Sequence, residues 1–476
     1  MMAAELDLLN RDVPLWRLIL LLAWPAIVEQ LLQTVVAYVD TAMVGSVGVE
    51  ATAAVGVTTS TVWMLNGFMN AVGVGYSVLT ARRLGAGNLE EARNVVRQAV
   101  LAVCVLGTIL TLLVTLFIAP NLPRWMGAPQ EVRPGAAAYL RIVGMSCLFN
   151  LSMVVCSNIL RCAGDSRTPL KFNTLTNLIN VAGNFLLIYP TARFSLFGLE
   201  FTLPRAGWGI EGAAAATSLA MTFSGTCMMW VLFFRDSPLR IRPGDDFRPS
   251  PRIIRQAAGL AFPVALERIS LAVGQLASTA MIAGLGAVSL AAHQLAATGE
   301  AICYLPAYGF ALAGTALVAQ SLGAGERERA FSAGVWCVRL GVLVMLFSAA
   351  AMYCFAVPMV RFFTADSGTV ALGAKMLRLE VWAEPFLALT IILGGVLRGA
   401  GDVRWPVYIA TSGMLCLRVP LIWVLIHRFG WDLTAVWGAM IVDWLLRAAI
   451  SLGRFRGRRW LAAWRESAPA DRQTGK

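Results

Sequence analysis

Apolar residues run along this chain in blocks of about twenty or more, separated by short polar turns, over nearly its whole length. A helix needs about that many residues to cross roughly 30 Å of hydrocarbon. The pattern predicts twelve helices. Six fall near residues 15–46, 51–81, 98–119, 136–160, 169–190 and 208–234. Six more fall near 257–284, 289–320, 334–357, 376–397, 405–427 and 433–453. The longest imply tilt or extension beyond the bilayer. The residues before the first block carry Glu5, Asp7 and Asp12 and no small-residue cleavage site, so that block reads as a helix and not a signal-peptide core.

The pattern also repeats. Pro25, Glu29, Thr41, Ala42, Met43, Gly48 and Leu84-Gly85-Ala86-Gly87 return 238 residues later as Pro263, Glu267, Thr279, Ala280, Met281, Gly286 and Leu322-Gly323-Ala324-Gly325. The run Leu160 to Pro169 answers Leu397 to Pro406 at an offset of 237. Six spans per half is an even number, so both halves enter the membrane in the same sense and are related by an axis along its normal. The expected fold is an all-α polytopic membrane protein, with twelve transmembrane helices in two six-helix bundles related by a pseudo-twofold axis. The units are an N-terminal lobe (1–234), a Pro-rich basic linker (235–256), a C-terminal lobe (257–453) and a basic tail (454–476). The outer loop Thr191 to Trp208 has no clear partner in the second half.

Composition agrees. Mean hydropathy is +0.68, 58% of residues are hydrophobic and only 14% are charged, which excludes an ordinary soluble chain. The net charge of +12 is not a nucleic-acid footprint, because the arginines sit in short loops between spans. With both termini inside, the inner segments hold 28 of the 39 lysines and arginines and the outer ones nine. That asymmetry predicts a multi-pass protein of the inner or plasma membrane with cytoplasmic ends. The nine cysteines show no CxxC pair, so neither a disulfide framework nor a metal site is expected.

Ionisable residues inside spans are costly and are functional candidates by default. Asp40 lies in the first span. Asn180 and Asn184 lie one turn apart in the fifth, and Thr217 lies in Gly212-Ala213-Ala214-Ala215-Ala216-Thr217 of the sixth. All four fall in the outer half of the bilayer. A carboxylate, two amides and a hydroxyl suit a hard cation such as sodium, whereas a proton needs Asp40 alone. The bland alternative for the amides and the hydroxyl is interhelical hydrogen bonding. The repeat sharpens Asp40, because its counterpart is Ser278, and a purely structural carboxylate would be expected in both halves. Glu29 and Glu267 are present in both, four residues after Pro25 and Pro263, each of which loosens its helix. They read either as cavity carboxylates that attract cationic cargo or as helix-end contacts. Gln33, Gln275 and Glu384 complete the possible cavity set. Glu300, Arg418, Asp443 and His293 also fall in or near spans; Arg418 calls for an acidic partner, and His293 reads as a packing residue. The glycine loops at 84–87 and 322–325 lack the Lys-Ser/Thr of a nucleotide site, and no catalytic constellation is present, so an enzyme is not expected.

Val39-Asp40-Thr41-Ala42-Met43-Val44-Gly45, the paired Leu-Gly-Ala-Gly loops, Ala292-His293-Gln294 and Leu397-Arg398-Gly399-Ala400-Gly401-Asp402 together resemble the multidrug and toxic compound extrusion (MATE) family, over essentially residues 15–453. The resemblance implies a V-shaped pair of bundles that alternates its access, with efflux of amphipathic, often cationic small molecules against inward sodium or protons. It implies no other cofactor, and the expected state is a monomer in the lipid bilayer. It makes Asp40 the coupling carboxylate, Pro25 the hinge, and Asn180 and Thr217 members of the cation site. The chain departs from the family in two places. Asn184 stands where one branch has Asp, and Leu271 and Leu387 stand where others have acidic residues; Glu267 and Glu384 lie one turn earlier. A lipid-linked precursor flippase of the same superfamily is the alternative, with a basic groove and additional spans as its usual marks. A major-facilitator carrier is disfavoured, because its inner-loop signature is absent at 81–88.

Overall fold

The computed structural model describes residues 6–196, 199–242 and 244–462, with side chains at all of these except 191–204. Pro243 of the linker and the tail from 463 lie outside the described residues. The first lobe contains α1 (Leu15–Gly45), α2 (Val49–Gly85), α3 (Leu89–Leu112), α4 (Ala119–Trp125), α5 (Val132–Met145), α6 (Cys147–Cys162), α7 (Arg167–Leu187) and α8 (Gly209–Phe234). The second contains α9 (Pro251–Ala283), α10 (Ala287–Gly323), α11 (Arg327–Arg361), α12 (Ser367–Glu380), α13 (Glu384–Gly399), α14 (Arg404–Thr411), α15 (Val419–His427) and α16 (Leu433–Arg456). Widened π-type turns at Leu113–Ile118 and Ser412–Arg418 join α3 to α4 and α14 to α15.

The twelve expected spans are all present, with three local differences. The fourth and tenth are broken: α5 and α6 meet at 50°, and α12 and α13 at 59°. At the second break Pro385 has no N–H to give the carbonyl of Val381, so the ladder cannot close through it. The outer loop after α7 forms an antiparallel hairpin, β1 (Pro190–Leu196) and β2 (Leu199–Ala206). Among the described residues nine helices are long and apolar enough to cross a membrane, and counting each bent pair as one span makes eleven. The twelfth is α7, whose Lys171, Asn173, Asn177, Asn180 and Asn184 lower its hydropathy. Its polarity is where the site lies.

The core explains the shape. One large apolar cluster runs through both lobes at the end that carries the 235–250 linker, taking in Leu18 to Ala23 of α1, Met69 to Ala81 of α2, Ala257 to Val264 of α9 and Ala307 to Ala319 of α10. At the opposite, hairpin end the apolar residues separate. Val44, Ala51, Ile188 and Ala213 cluster in the first lobe, and Ile282, Ala292, Met352, Leu377 and Trp437 in the second. Beyond Glu29, α1 buries only Val44. The lobes are therefore fused at the linker end and parted by a cleft at the hairpin end. Tyr38 reaches across the cleft: its hydroxyl donates to the Thr298 carbonyl at 3.3 Å and its ring meets Phe363 edge-on.

Glycine makes the fusion possible. A Cβ on Gly85 would run into the backbone of Gln320, and a Cβ on Gly323 into the backbone of Arg82. These four positions map onto one another at the 238-residue offset, so the ends of α2 and α10 touch reciprocally, as a twofold contact requires. Gly87 and Gly325, at φ of 71° and 81°, then turn each chain out of its helix. Gln320 also donates to the Cys162 carbonyl at 2.8 Å, Arg82 donates to the Ala400 carbonyl, and Arg329 holds the carbonyls of Leu8 and Asn10 at 2.9 Å.

Candidate functional site

The four residues singled out for a cation site come together. Asp40 lies five residues before the hairpin-side end of α1, which is about 8 Å at the helical rise. Asn180 and Asn184, on one face of α7, are 5% and 1% exposed. Asn184 donates its amide to Asp40 Oδ1 at 2.6 Å. With its amide turned so that both ends meet complementary partners, Asn180 donates to Asp40 at 2.7 and 3.1 Å and accepts from the Thr217 hydroxyl at 3.1 Å. Two amide donors thus compensate one half-buried carboxylate. The Asn184 Oδ1 atom is buried without a partner, an oxygen left over in a pocket already lined by oxygens. Tyr139 of α5 lies within electrostatic reach of Asp40; sequence reasoning did not single it out, because a lone Tyr in an Ala-rich span carries no spacing signal. The counterpart Ser278 only bonds back to the Gly274 carbonyl.

The possible cavity residues fare differently. Glu29 is 2% exposed and accepts from Arg161 at 2.5 Å, Asn173 at 2.6 Å and Gln33 at 3.4 Å. Glu267 pairs with Arg398 at 3.1 Å. Arg161 and Arg398 are themselves counterparts in the repeat, so each lobe ties its first span to its fourth by the same ion pair. Of the two readings of Glu29 and Glu267, cavity carboxylate or helix contact, these ion pairs support the helix contact. A second matched set is Asp165 with Arg235 at 2.6 Å and Asp402 with Arg454 at 2.8 Å, which fastens the end of each lobe to the turn after its fourth span. Gln33 is half-buried beside Glu29, and Gln275 is exposed on α9. Glu384 does not line the cleft but is wholly buried. Arg268 is half-buried, stacked over Gly67 of α2 with Tyr304, Tyr308 and Glu267 nearby. α1 runs unbroken through Pro25.

The second lobe holds a buried polar group that the sequence showed only in pieces. Arg418, expected to pair with an acid, meets Asp443 at 2.6 Å, and Asp443 also binds Arg447 at 2.6 and 2.7 Å. Gly413 leaves the room, since a Cβ there would strike Asp443 and Arg447. His293 is buried edge-on against Trp437 at 5.7 Å, as a packing residue would be. Glu300, Glu384 and Glu380, the last not singled out from the sequence, are 6%, 0% and 0% exposed.

One family model, MatE, matches the chain twice, over residues 25–186 and 263–424, two segments that stand at the offset of the repeat. Relatives include the probable multidrug resistance protein NorM of Thermotoga maritima, 28% identical over 92% of this chain and 92% of its own. The probable multidrug resistance protein YoeA of Bacillus subtilis is 26% identical over 89% of each. Among solved structures, a multidrug resistance MATE family transporter of the MOP superfamily in an outward-facing conformation superposes with a TM-score of 0.87. It is 23% identical and covers 97% of this chain and 99% of its own.

Proposed function

The chain belongs to the MatE family of multidrug and toxic compound extrusion transporters, and on that premise we propose that it is an antiporter driven by sodium or protons taken up at Asp40. It is a multi-pass membrane transporter of small molecules and not an enzyme. In our reading it works as a monomer in the inner or plasma membrane, with linker and termini on the cytoplasmic side, where its arginines concentrate. Amphipathic compounds enter the cleft between the lobes. With Glu29 and Glu267 each paired to an arginine, cargo need not be cationic.

The observation that carries the reading is the Asp40 pocket: a carboxylate in a membrane span, held by Asn180 and Asn184, in one lobe and not the other. α1 connects it to the lobe interface, because its linker-side half packs Ala23 and Ile27 against Gly309 of α10. A cation that changes how α1 sits at Asp40 therefore changes the closure of the cleft, and cargo that alters the closure alters cation affinity by the same factor. Ethidium efflux from proteoliposomes, with sodium and pH gradients imposed separately, tests this. The wild type is expected to pump under one of them and the Asp40→Asn variant under neither. Uphill pumping by Asp40→Asn would remove the mechanism.

A further inference from the structure

Of the nine lysines and arginines in the outer segments, six flank two matching junctions. Arg124, Arg133 and Arg141 stand where the third span meets the fourth, and Arg361, Lys375 and Arg378 where the ninth meets the tenth. In the first lobe the three arginines line one open groove of about 410 Å³ between α4 and α5, whose apolar wall is Pro120, Pro123 and Ala137. No carboxylate is among its described lining residues. Arg133 gives its Nε–H to the Ala128 carbonyl at 2.8 Å. Arg124 and Arg141 are exposed, and so is Glu131, the acid of this turn; among the described residues none of the three has an ion pair.

The groove opens at the membrane surface. Val132 and Ala136 of α5 pack on Ala54 near the start of α2 and Ile210 at the start of α8, which puts this end of α5 at the hairpin end. Phe117, Trp125 and Met145, on the elements that frame the groove, are each more than half exposed. The Phe117 and Trp125 rings tilt together at 6.0 Å. In a membrane protein such a belt lies against lipid, with tryptophan at the headgroup level. Arg141 is nine residues past Val132, about 14 Å along the span, and Met145 follows it one turn on. A guanidinium facing lipid at that depth is costly unless it reaches an anion. Arg133, Ala137 and Arg141 form one stripe of α5, and the Cα–Cβ bond of Arg141 leans toward the helix start. Its long apolar stem can therefore lie along the groove while the charged head reaches toward Arg133 and the headgroups.

We propose that this groove binds the phosphate of an anionic phospholipid from the leaflet at the hairpin end. Arg124, Arg133 and Arg141 surround the phosphate, which their planar guanidinium groups can hold through paired N–H donors. Pro120, Pro123 and Ala137 take the glycerol and the first acyl carbons. A soluble anion would use the charge and leave the apolar wall and the aromatic belt without a partner. The repeat shows that the groove is particular to the first lobe. Arg361-Phe362 and Arg378 answer Arg124-Trp125 and Arg141 at the offset of 237, but Val370 stands for Arg133, and Arg378 lies over the Tyr353 ring at 5.6 Å. A lipid held in the groove joins the end of the third span to the first half of the fourth, ahead of its 50° bend.

The test measures lipid and not transport, so it is independent of the antiport reading. The full-length protein is placed in phosphatidylcholine liposomes that contain an equal small fraction of either a photoactivatable phosphatidylglycerol or a photoactivatable phosphatidylcholine. Cross-linked peptides are read by mass spectrometry. The peptides covering 120–141 are expected to take the phosphatidylglycerol probe at least about tenfold more than the phosphatidylcholine probe. In the Arg124→Gln, Arg133→Gln, Arg141→Gln variant that preference should vanish, with cross-linking at the linker end unchanged. Equal labelling by the two probes overturns the proposal, as does a preference that survives in the variant. Loss of the preference on adding excess inorganic phosphate also overturns it, since the groove would then serve a free anion. If linker-end cross-linking is lost as well, the triple variant has not folded. The Arg124→Gln, Arg141→Gln variant, which keeps Arg133 on the Ala128 carbonyl, then decides by the same criterion.

Discussion

At the scale of the residue, the same type of side chain does opposite jobs according to what the fold sets beside it. Glu29 and Asp40 share one helix and both are carboxylates in a membrane span. Glu29 meets Arg161 at 2.5 Å and becomes a tie, whereas the hydrogen-bond partners of Asp40 are neutral amides. Replacing Glu29 by Gln is expected to leave the Arg161 guanidinium buried without its counter-charge, at about 3–5 kcal/mol. That should appear as a clear drop in Tm in detergent, partly recovered when Arg161→Met is added. A Glu29→Gln protein with unchanged Tm and lost cargo binding would instead restore the cavity reading. Asp40, Asn180, Asn184 and Thr217 were legible as a set because polar residues in apolar spans are few. The partners of Glu29 and Glu267 were not, since Arg161 and Arg398 lie more than a hundred residues away and look like ordinary loop-flanking arginines.

At the scale of the element, hydrophobic runs locate helices well and interruptions badly. The fourth and tenth spans read as continuous because Ser146 and the 381–383 turn are bridged by apolar residues on both sides. Pro385 was visible, but a proline alone does not say whether a helix kinks, breaks or continues, and α1 and α9 pass through Pro25 and Pro263 without interruption. In α1, Pro25 withholds one N–H from the ladder between the Asp40 pocket and the linker-side packing, which makes this point the cheapest place to flex. Pro25→Ala restores that donor. The expected result is slower ethidium efflux with the equilibrium affinity for ethidium little changed, read by transport and by fluorescence binding on the same preparation. Equal efflux rates would mean that α1 moves as a rigid rod.

At the scale of the whole molecule, the cores of the two lobes merge at one end, which is where the proposed alternation would pivot. Gly85 and Gly323 let α2 and α10 approach to backbone contact on the pseudo-twofold axis. Leucine at either position overpacks this contact by about 1–3 kcal/mol, enough to shift a two-state closure by roughly 5- to 150-fold. Gly85→Leu and Gly323→Leu should therefore act alike. Each should widen spin-label distances across the linker end and reduce efflux, with the protein still inserted. A change in one and not the other would show that the axis is not where the two copies bear on each other.

The sequence by itself determined the membrane class, the twelve spans, the two parallel halves and the residues of the Asp40 pocket. Each of these follows from local hydropathy, from parity or from a repeat, none of which needs distant contacts. The tertiary structure alone decided which buried charges are spoken for. Pairing depends on distances between helices far apart in sequence, and burial makes an unpaired charge expensive enough to matter. Glu29 and Glu267 were thereby paired with arginines, and Glu380 and Glu384 were left without hydrogen-bond partners at a bend that hydropathy had not shown.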